Sequence, residues 1–353
     1  MTASTEERPP VPLTLDDALS PDWLTAALGT RYPSIEVGHV TPGPVVSRIS
    51  TNARFHIECA SMPEGLSPDL CLKGYFGDIA PMARPAGVPE ALFYRDLAAA
   101  TGVRTLSSVY ADVDETSQAN VVITEDVVAR GATFLDPLSP YGPDEAAQSL
   151  EQLARLHVAT WMDPTLAAAG WLDPWFSRLA QGRGVPEITR NFEGPLGVGV
   201  PEAVRDAPRL FEAFTAVAAS SMEASPWCVV HGDAHAANLY LDGRGRPSLV
   251  DWQLVQRGPW YLDVGYHLAA TLSVSDRRRS EDDLIAHYLD HLRVAGIAVP
   301  SEPEVRQGLG RGMVHGFYLW GITLLVDPPI IAALLERLGT AVDDHDALDA
   351  LTP

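Results

Sequence analysis

The chain has 353 residues, of which 46% are apolar, a length and composition suited to two globular lobes. A net charge of -21 argues against nucleic acid or an anionic membrane surface as a partner. The acidity is compatible with a cationic substrate, and equally with a charge that only keeps the protein dissolved. Cys59, Cys71 and Cys228 lie far apart without a C-x-x-C spacing, which suggests a reducing, cytoplasmic setting rather than a disulfide framework. The N-terminal MTASTEERPPVP has no apolar centre, so it does not read as a signal peptide, and no apolar run is long enough to span a membrane.

In chain order, residues 1–12 read as a disordered tail. Ser20-Pro21 suits the cap and first position of a helix that Gly29 closes. Val45–Ile49 and Arg54–Cys59 alternate in the manner of strands, with Ser50, Thr51 and Asn52 as the turn between them. Leu70–Lys73 is a further strand, and Lys73 is costly there unless its ammonium is paired or reaches solvent. Pro89 suits the first position of a helix that runs to Gly102, which puts Glu90 in its first turn, where the helix dipole favours a carboxylate. Asn120–Thr124 is an apolar, β-branched strand that ends at Glu125-Asp126-Val127.

The second half reads as mostly helical. A helical stripe starts near Asp144 and includes His157, the expected place for a core histidine. Residues 171–201, rich in Gly, Pro and aromatics, resist assignment. A helix around Arg209–Ala219 leads into the catalytic candidate. Asp263 suits the cap of a following helix, and Ser280 the cap of one that runs to Arg293. Arg277-Arg278-Arg279 reads as a solvated loop. Gly308–Val326 is an apolar helix with four ring side chains, better suited to a core than to a pocket, and a last helix runs from Asp327-Pro328 to Gly339.

Chemistry concentrates in VVHGDAHAANLYLDGRGRPSLVDW, residues 229–252. Two short strands flank a stretch of turn formers, which makes a hairpin. If its centre lies between Arg244 and Gly245, Asn238 and Asp251 are equidistant from the turn and come close together. Phosphoryl transfer needs hard oxygen ligands for Mg²⁺ and a carboxylate that accepts the proton of the attacking hydroxyl. Asp251 suits the main metal ligand, Asn238 the second and Asp233 the base. The spacing H-x-D-x-x-x-x-N is that of a protein-kinase catalytic loop, with Gly232 in place of its Arg. Another reading takes His231, Asp233 and His235, at i, i+2 and i+4, as a zinc site of a hydrolase.

HGDAHAAN, the later VDWQ and the PWYLDVGYHLA after it resemble the aminoglycoside phosphotransferase and choline kinase-like superfamily. The resemblance covers most of residues 35–325. It implies a bilobal, protein-kinase-like α+β fold: an N-lobe with an antiparallel sheet and a helix over residues 13–126, and a larger helical C-lobe over 127–353. It also implies roles for single residues. Lys73 holds phosphates and pairs with Glu90, which stands shortly before Phe-Tyr-Arg as in the family. The Ser50, Thr51 and Asn52 turn covers the nucleotide phosphates, although the chain lacks the G-x-G-x-x-G of protein kinases. The backbone of Glu125, Asp126 and Val127 binds the base, and Asp263 and His231 brace the catalytic loop. The implied activity is transfer of phosphate from ATP or GTP, with Mg²⁺, to a hydroxyl of a small molecule. A nucleotide-binding pseudokinase without turnover is the alternative within the same fold.

Overall fold

Alternation of apolar and polar side chains through the first third of the chain produces one five-stranded antiparallel sheet in the computed structural model, which describes residues 8–352. Its strands are β1 (Val37–Ser47), β2 (Thr51–Cys59), β3 (Asp69–Gly74), β4 (Ser108–Val113) and β5 (Asn120–Glu125), in spatial order β1-β2-β3-β5-β4. Two helices precede it, α1 (Leu15–Ala18) and α2 (Pro21–Gly29). Ser20 caps α2 by accepting the Trp23 N–H, and Leu24, Ala27 and Leu28 pack with Phe55, Ile57, Leu70 and Leu72 of the sheet. This sheet, the helices around it and the distant segment Asp251–Leu254 form one compact unit, which ends at Ala132.

Four expectations in this unit need correction. The tail is ordered from Arg8: its guanidinium donates to the Ala111 carbonyl (2.9 Å), Trp23 donates to the Pro10 carbonyl (2.8 Å), and Val11 packs on the core. The remainder of that expected tail, residues 1–7, lies outside the described residues. The strand expected at 45–49 is the end of a longer one, and the turn is Arg48-Ile49-Ser50, because Ser47 pairs with Thr51. Thr51 and Asn52 are therefore strand residues, and the Thr51 hydroxyl is spent on Ser47 Oγ (2.9 Å). Finally, the helix bearing Glu90 starts nine residues early. It is α3 (Ala80–Leu92), followed by a wide π turn, Phe93–Leu97, and by α4 (Ala98–Thr101). Pro89 is inside this helix with Pro85, so Glu90 is in its last turn and gains nothing from the N-terminal dipole.

The second unit, Thr101–Arg104, Thr133–Val250 and Val255 onwards, is mostly helical. Strand β6 (Thr133–Phe134) is followed by α5 (Pro143–Ala159), α6 (Pro164–Ala167), α7 (Phe176–Gly182), α8 (Val185–Glu193) and α9 (Ala207–Met222). The short strands β7 (Cys228–Val230), β8 (Leu239–Leu241), β9 (Pro247–Leu249) and β10 (Gln256–Gly258) carry the motif-bearing loops. Helices α10 (Tyr261–Thr271), α11 (Val274–Val294), α12 (Glu302–Gly321), α13 (Pro328–Asp344) and α14 (Ala347–Leu351) complete it. The α+β class, sheet first and helices after, is thus the one expected.

Here too the sequence reading slips at helix starts. Helix α11 is capped by Ser273, not Ser280, and Asp263 is the third residue of α10, not its cap. The three arginines are helical, not in a loop: Arg277 is 2% exposed and pairs with Glu281 (2.7 Å) and Asp344, while Arg278 and Arg279 are exposed and pair with Asp344 and Asp276.

Helices α10 and α12 cross closely. A methyl added at Gly312 would sit 2.1 Å from the Tyr261 carbonyl oxygen and 3.1 Å from Gly265 Cα. On an open helix Gly→Ala stabilises by about 1 kcal/mol; at this crossing the overlap reverses the sign. Gly312→Ala is expected to destabilise by about 1–3 kcal/mol, read as a lower denaturation midpoint. An unchanged or raised midpoint would contradict the crossing.

Candidate active site

In the first unit, strand β3 presents Lys73 with its ammonium 2.6 Å from Glu90 Oε2 and 2.9 Å from Asp251 Oδ1. Glu90 is buried, 3% exposed, and also accepts the Trp252 backbone N–H. Burial alone would push Lys73 down, but Glu90 and Asp251 outweigh it and the lysine is held above its ordinary value, fully charged. Asp251 sits at φ +64°, a left-handed conformation that costs a non-glycine residue on the order of 1 kcal/mol or more. Trp252 fixes that conformation by stacking on Phe93 (centroids 3.8 Å apart) and donating to Thr105 Oγ1 (2.9 Å). Sequence positions 73, 90 and 251 thus converge in one unit.

The other nucleotide candidates in this unit are placed differently. Asn52 pairs with Lys73 across β2 and β3, and Ser50 is in the turn. Glu125 is locked in a fork with Arg130 (2.8 and 2.9 Å), and the Asp126 carboxylate takes the Val128 N–H (2.9 Å). The side chains of Glu125 and Asp126 are therefore occupied, and their backbone N–H groups already donate to the Ser107 and Asp69 carbonyls (3.0 and 2.9 Å).

In the second unit, the loop after β7 is built on Asp263. Its carboxylate, fully buried, accepts the N–H of His231 (2.7 Å) and of Gly232 (2.8 Å) and lies 3.1 Å from His157 Nε2. Burial would raise the Asp263 carboxyl, but His157, His231 and the Gly232 N–H outweigh it and hold it below its ordinary range. Three more histidines clamp the same loop. His231 accepts the Asp233 N–H at Nδ1 (3.3 Å) and donates from Nε2 to the Val250 carbonyl (2.9 Å). His315 donates to the Gly232 carbonyl (2.9 Å), and His267 to the Ala234 carbonyl (2.7 Å). Burial keeps both of these neutral, His267 at about 4.

The loop presents Asp233. Its Oδ1 accepts the Tyr266 hydroxyl (3.0 Å) and lies 3.6 Å from His235 Nε2; its Oδ2 accepts Asn238 Nδ2 (3.1 Å). Burial would raise this carboxyl, but His235, His231 and Tyr266 hold it at about 2, so it is ionised at any physiological pH. Asn238 Nδ2 donates also to the Asp233 carbonyl (2.8 Å). With both amide protons spent on Asp233, the Asn238 side-chain oxygen is left as an acceptor.

Two sequence readings fail here. Hairpin β8–β9 pairs Leu239 with Leu249, so its centre is Arg244 and Asn238 faces Val250, whose N–H it accepts (2.9 Å), one residue out of the expected register. The zinc site is contradicted by chemistry: both ring nitrogens of His231 are engaged by the backbone, and among the described residues no group of three His, Cys, Asp or Glu could hold a metal ion. Sequence reasoning also missed Tyr266 and Trp320. Trp320 Nε1 donates to the Tyr266 oxygen (2.8 Å), which donates on to Asp233. The one available signal was the i, i+3 spacing of Asp263 and Tyr266, which puts both on one helix face.

Residues 83–303, more than half of the chain, match the model of the phosphotransferase enzyme family. The chain belongs to that family. No curated protein matches it in sequence. Solved structures give distant likenesses. Choline kinase LicA from Streptococcus pneumoniae is 11% identical, with 92% of this chain and 98% of that chain covered and a TM-score of 0.47. A choline/ethanolamine kinase family protein from Mesorhizobium loti is 18% identical, covering 88% and 92%, at 0.45. Macrolide 2′-phosphotransferase MphH from Brachybacterium faecium is 17% identical, covering 97% and 99%, at 0.46. Among the described residues no helix is long and apolar enough to cross a membrane.

Tyr266 is expected to set the orientation of Asp233. Tyr266→Phe keeps the ring and removes the donor, so turnover in phosphate transfer should fall about tenfold with the nucleotide KM and the melting temperature little changed. Unchanged turnover would show that the hydroxyl does not orient the carboxylate.

Proposed function

We propose that this phosphotransferase moves the terminal phosphate of ATP or GTP, with Mg²⁺, onto a hydroxyl of a small molecule. The observation that carries the reading is the convergence of Lys73, Glu90 and Asp251. A buried carboxylate with no other charge to answer fixes a lysine, which in turn holds an aspartate in a strained conformation. That arrangement suits phosphate binding: Lys73 as the cation on the nucleotide phosphates, Glu90 as its support.

Asp251 and the Asn238 amide oxygen are hard oxygen donors of the kind Mg²⁺ takes, and the spent amide protons of Asn238 leave that oxygen available. Magnesium, when bound, supplies charge neutralisation at the phosphates. Asp233 orients the acceptor hydroxyl and takes its proton. Held at about 2, it is a weak base, so its main contribution is to align the nucleophile as the proton becomes acidic during transfer. Asp263 and His231 hold the loop. Of the turn candidates, Ser50 stays available for phosphate contact, Thr51 is spent on Ser47, and Asn52 stands beside Lys73. The backbone of 125–127 takes the base, and the reaction is cytoplasmic.

The test is ADP and GDP release over a panel of hydroxyl compounds, for the wild type, Asp233→Asn and Asp251→Asn. Once an acceptor is found, each variant is expected to lose about a hundredfold or more in turnover while retaining the wild-type circular dichroism. Near-full turnover in either variant would overturn its role.

A further inference from the structure

A second site lies in the second unit, on the N-terminal half of α12. Pro303, Arg306, Gln307, Gly310 and Arg311 follow helical spacing and form one wall of a cavity of about 270 Å³. His345, Ala347, Ala350 and Leu351 form the other wall. Gly310 lets the walls approach: a methyl there would lie 3.2 Å from Ala347 Cβ.

The charge of this lining is opposite to that of the protein. The chain carries a net charge of -21, yet among the described residues no carboxylate lines the cavity, and two arginines do. Among the described residues neither Arg306 nor Arg311 is ion-paired. Arg306 reaches only the Asp344 carbonyl (3.4 Å) and Arg311 only the Tyr261 hydroxyl (3.5 Å), both weak contacts. Three of the neighbouring acids are committed elsewhere. Asp344 is taken by Arg277 and Arg278, Glu281 by Arg277 and His345, and Asp349 by Arg209. Two nitrogens buried in the wall, Arg311 Nε and His345 Nδ1, have no hydrogen-bond partner. Gln307 adds an amide, and Pro303, Ala347, Ala350 and Leu351 add apolar surface.

We infer that this cavity binds a small oxyanion carried on a short apolar body, with Arg306 and Arg311 taking the oxygens and the alanine and leucine side chains the body. Guanidinium groups bind carboxylate and phosphate alike, so the shared chemistry is the oxyanion. Nothing in this inference depends on the phosphotransferase reading.

The experiment is isothermal titration of the full chain with hexanoate, hexyl phosphate, inorganic phosphate and, as a charge control, hexylammonium. The wild type is expected to bind hexanoate or hexyl phosphate saturably, more tightly than inorganic phosphate, and not to bind hexylammonium. Which anion binds tighter separates a carboxylate from a phosphate ligand. Affinity should fall about tenfold or more in Arg306→Gln/Arg311→Gln. Arg311→Lys, which keeps the charge and loses the fork, should fall in between and guards against loss of folding in the double variant. No binding of either organic anion, equal binding of hexylammonium, or unchanged affinity in the double variant would each overturn the site.

Discussion

One buried carboxylate sets the geometry of the second unit. Asp263 has no solvent, and an ionised carboxylate in such a place is tolerated only when its lone pairs are filled. The donors that fill them are the His231 and Gly232 amides and the His157 ring. Two of the three are backbone groups of the loop that carries Asp233. Satisfying the charge and shaping the loop are therefore the same interaction. The other histidines add to it from α10 and α12, and the close crossing of those helices at Gly265 and Gly312 brings His267, Tyr266, His315 and Trp320 to bear on one loop. Asp233 is thereby held by Tyr266 and Asn238, side chains from outside its own loop turn.

The first unit solves a related problem with the opposite charge. Lys73 on a central strand is acceptable because two carboxylates meet it, one buried on α3 and one from a segment 178 residues further along the chain. Asp251 accepts a left-handed backbone in return for that ion pair and for the stacking of Trp252 on Phe93. Strain of this kind persists where the surroundings over-determine it, as they do at sites of function.

Much of this was legible beforehand. The motif H-x-D-x-x-x-x-N and the later Asp-Trp pair single out Asp233, Asn238 and Asp251, the groups proposed to react, because metal and proton chemistry restrict residue types at fixed spacing. The antiparallel sheet and the Ser20 cap were legible from alternation and capping chemistry. What failed was local inference where tertiary contacts decide. Pro89 is an ordinary helix opener, yet α3 runs through both it and Pro85, so the proline marks no boundary here. Arg277 is in a run that looks solvated, but acids at 281 and 344 make burial tolerable. The hairpin slipped by one residue because a symmetric closure was assumed for a loop whose Gly245, at φ +75°, sets another centre. Tyr266 and Trp320 were invisible because an aromatic in an apolar helix carries no mark of the group its polar atom will meet.

The most direct test of the central claim is nucleotide binding, read as the melting temperature with ATP or GTP, with and without Mg²⁺, for the wild type and for Lys73→Ala. A ligand that binds only the folded chain must raise the melting temperature by mass action. The account predicts a rise with at least one nucleotide, larger with Mg²⁺ present, that is lost or much reduced in Lys73→Ala. No rise at saturating nucleotide, or an equal rise in the variant, would contradict it.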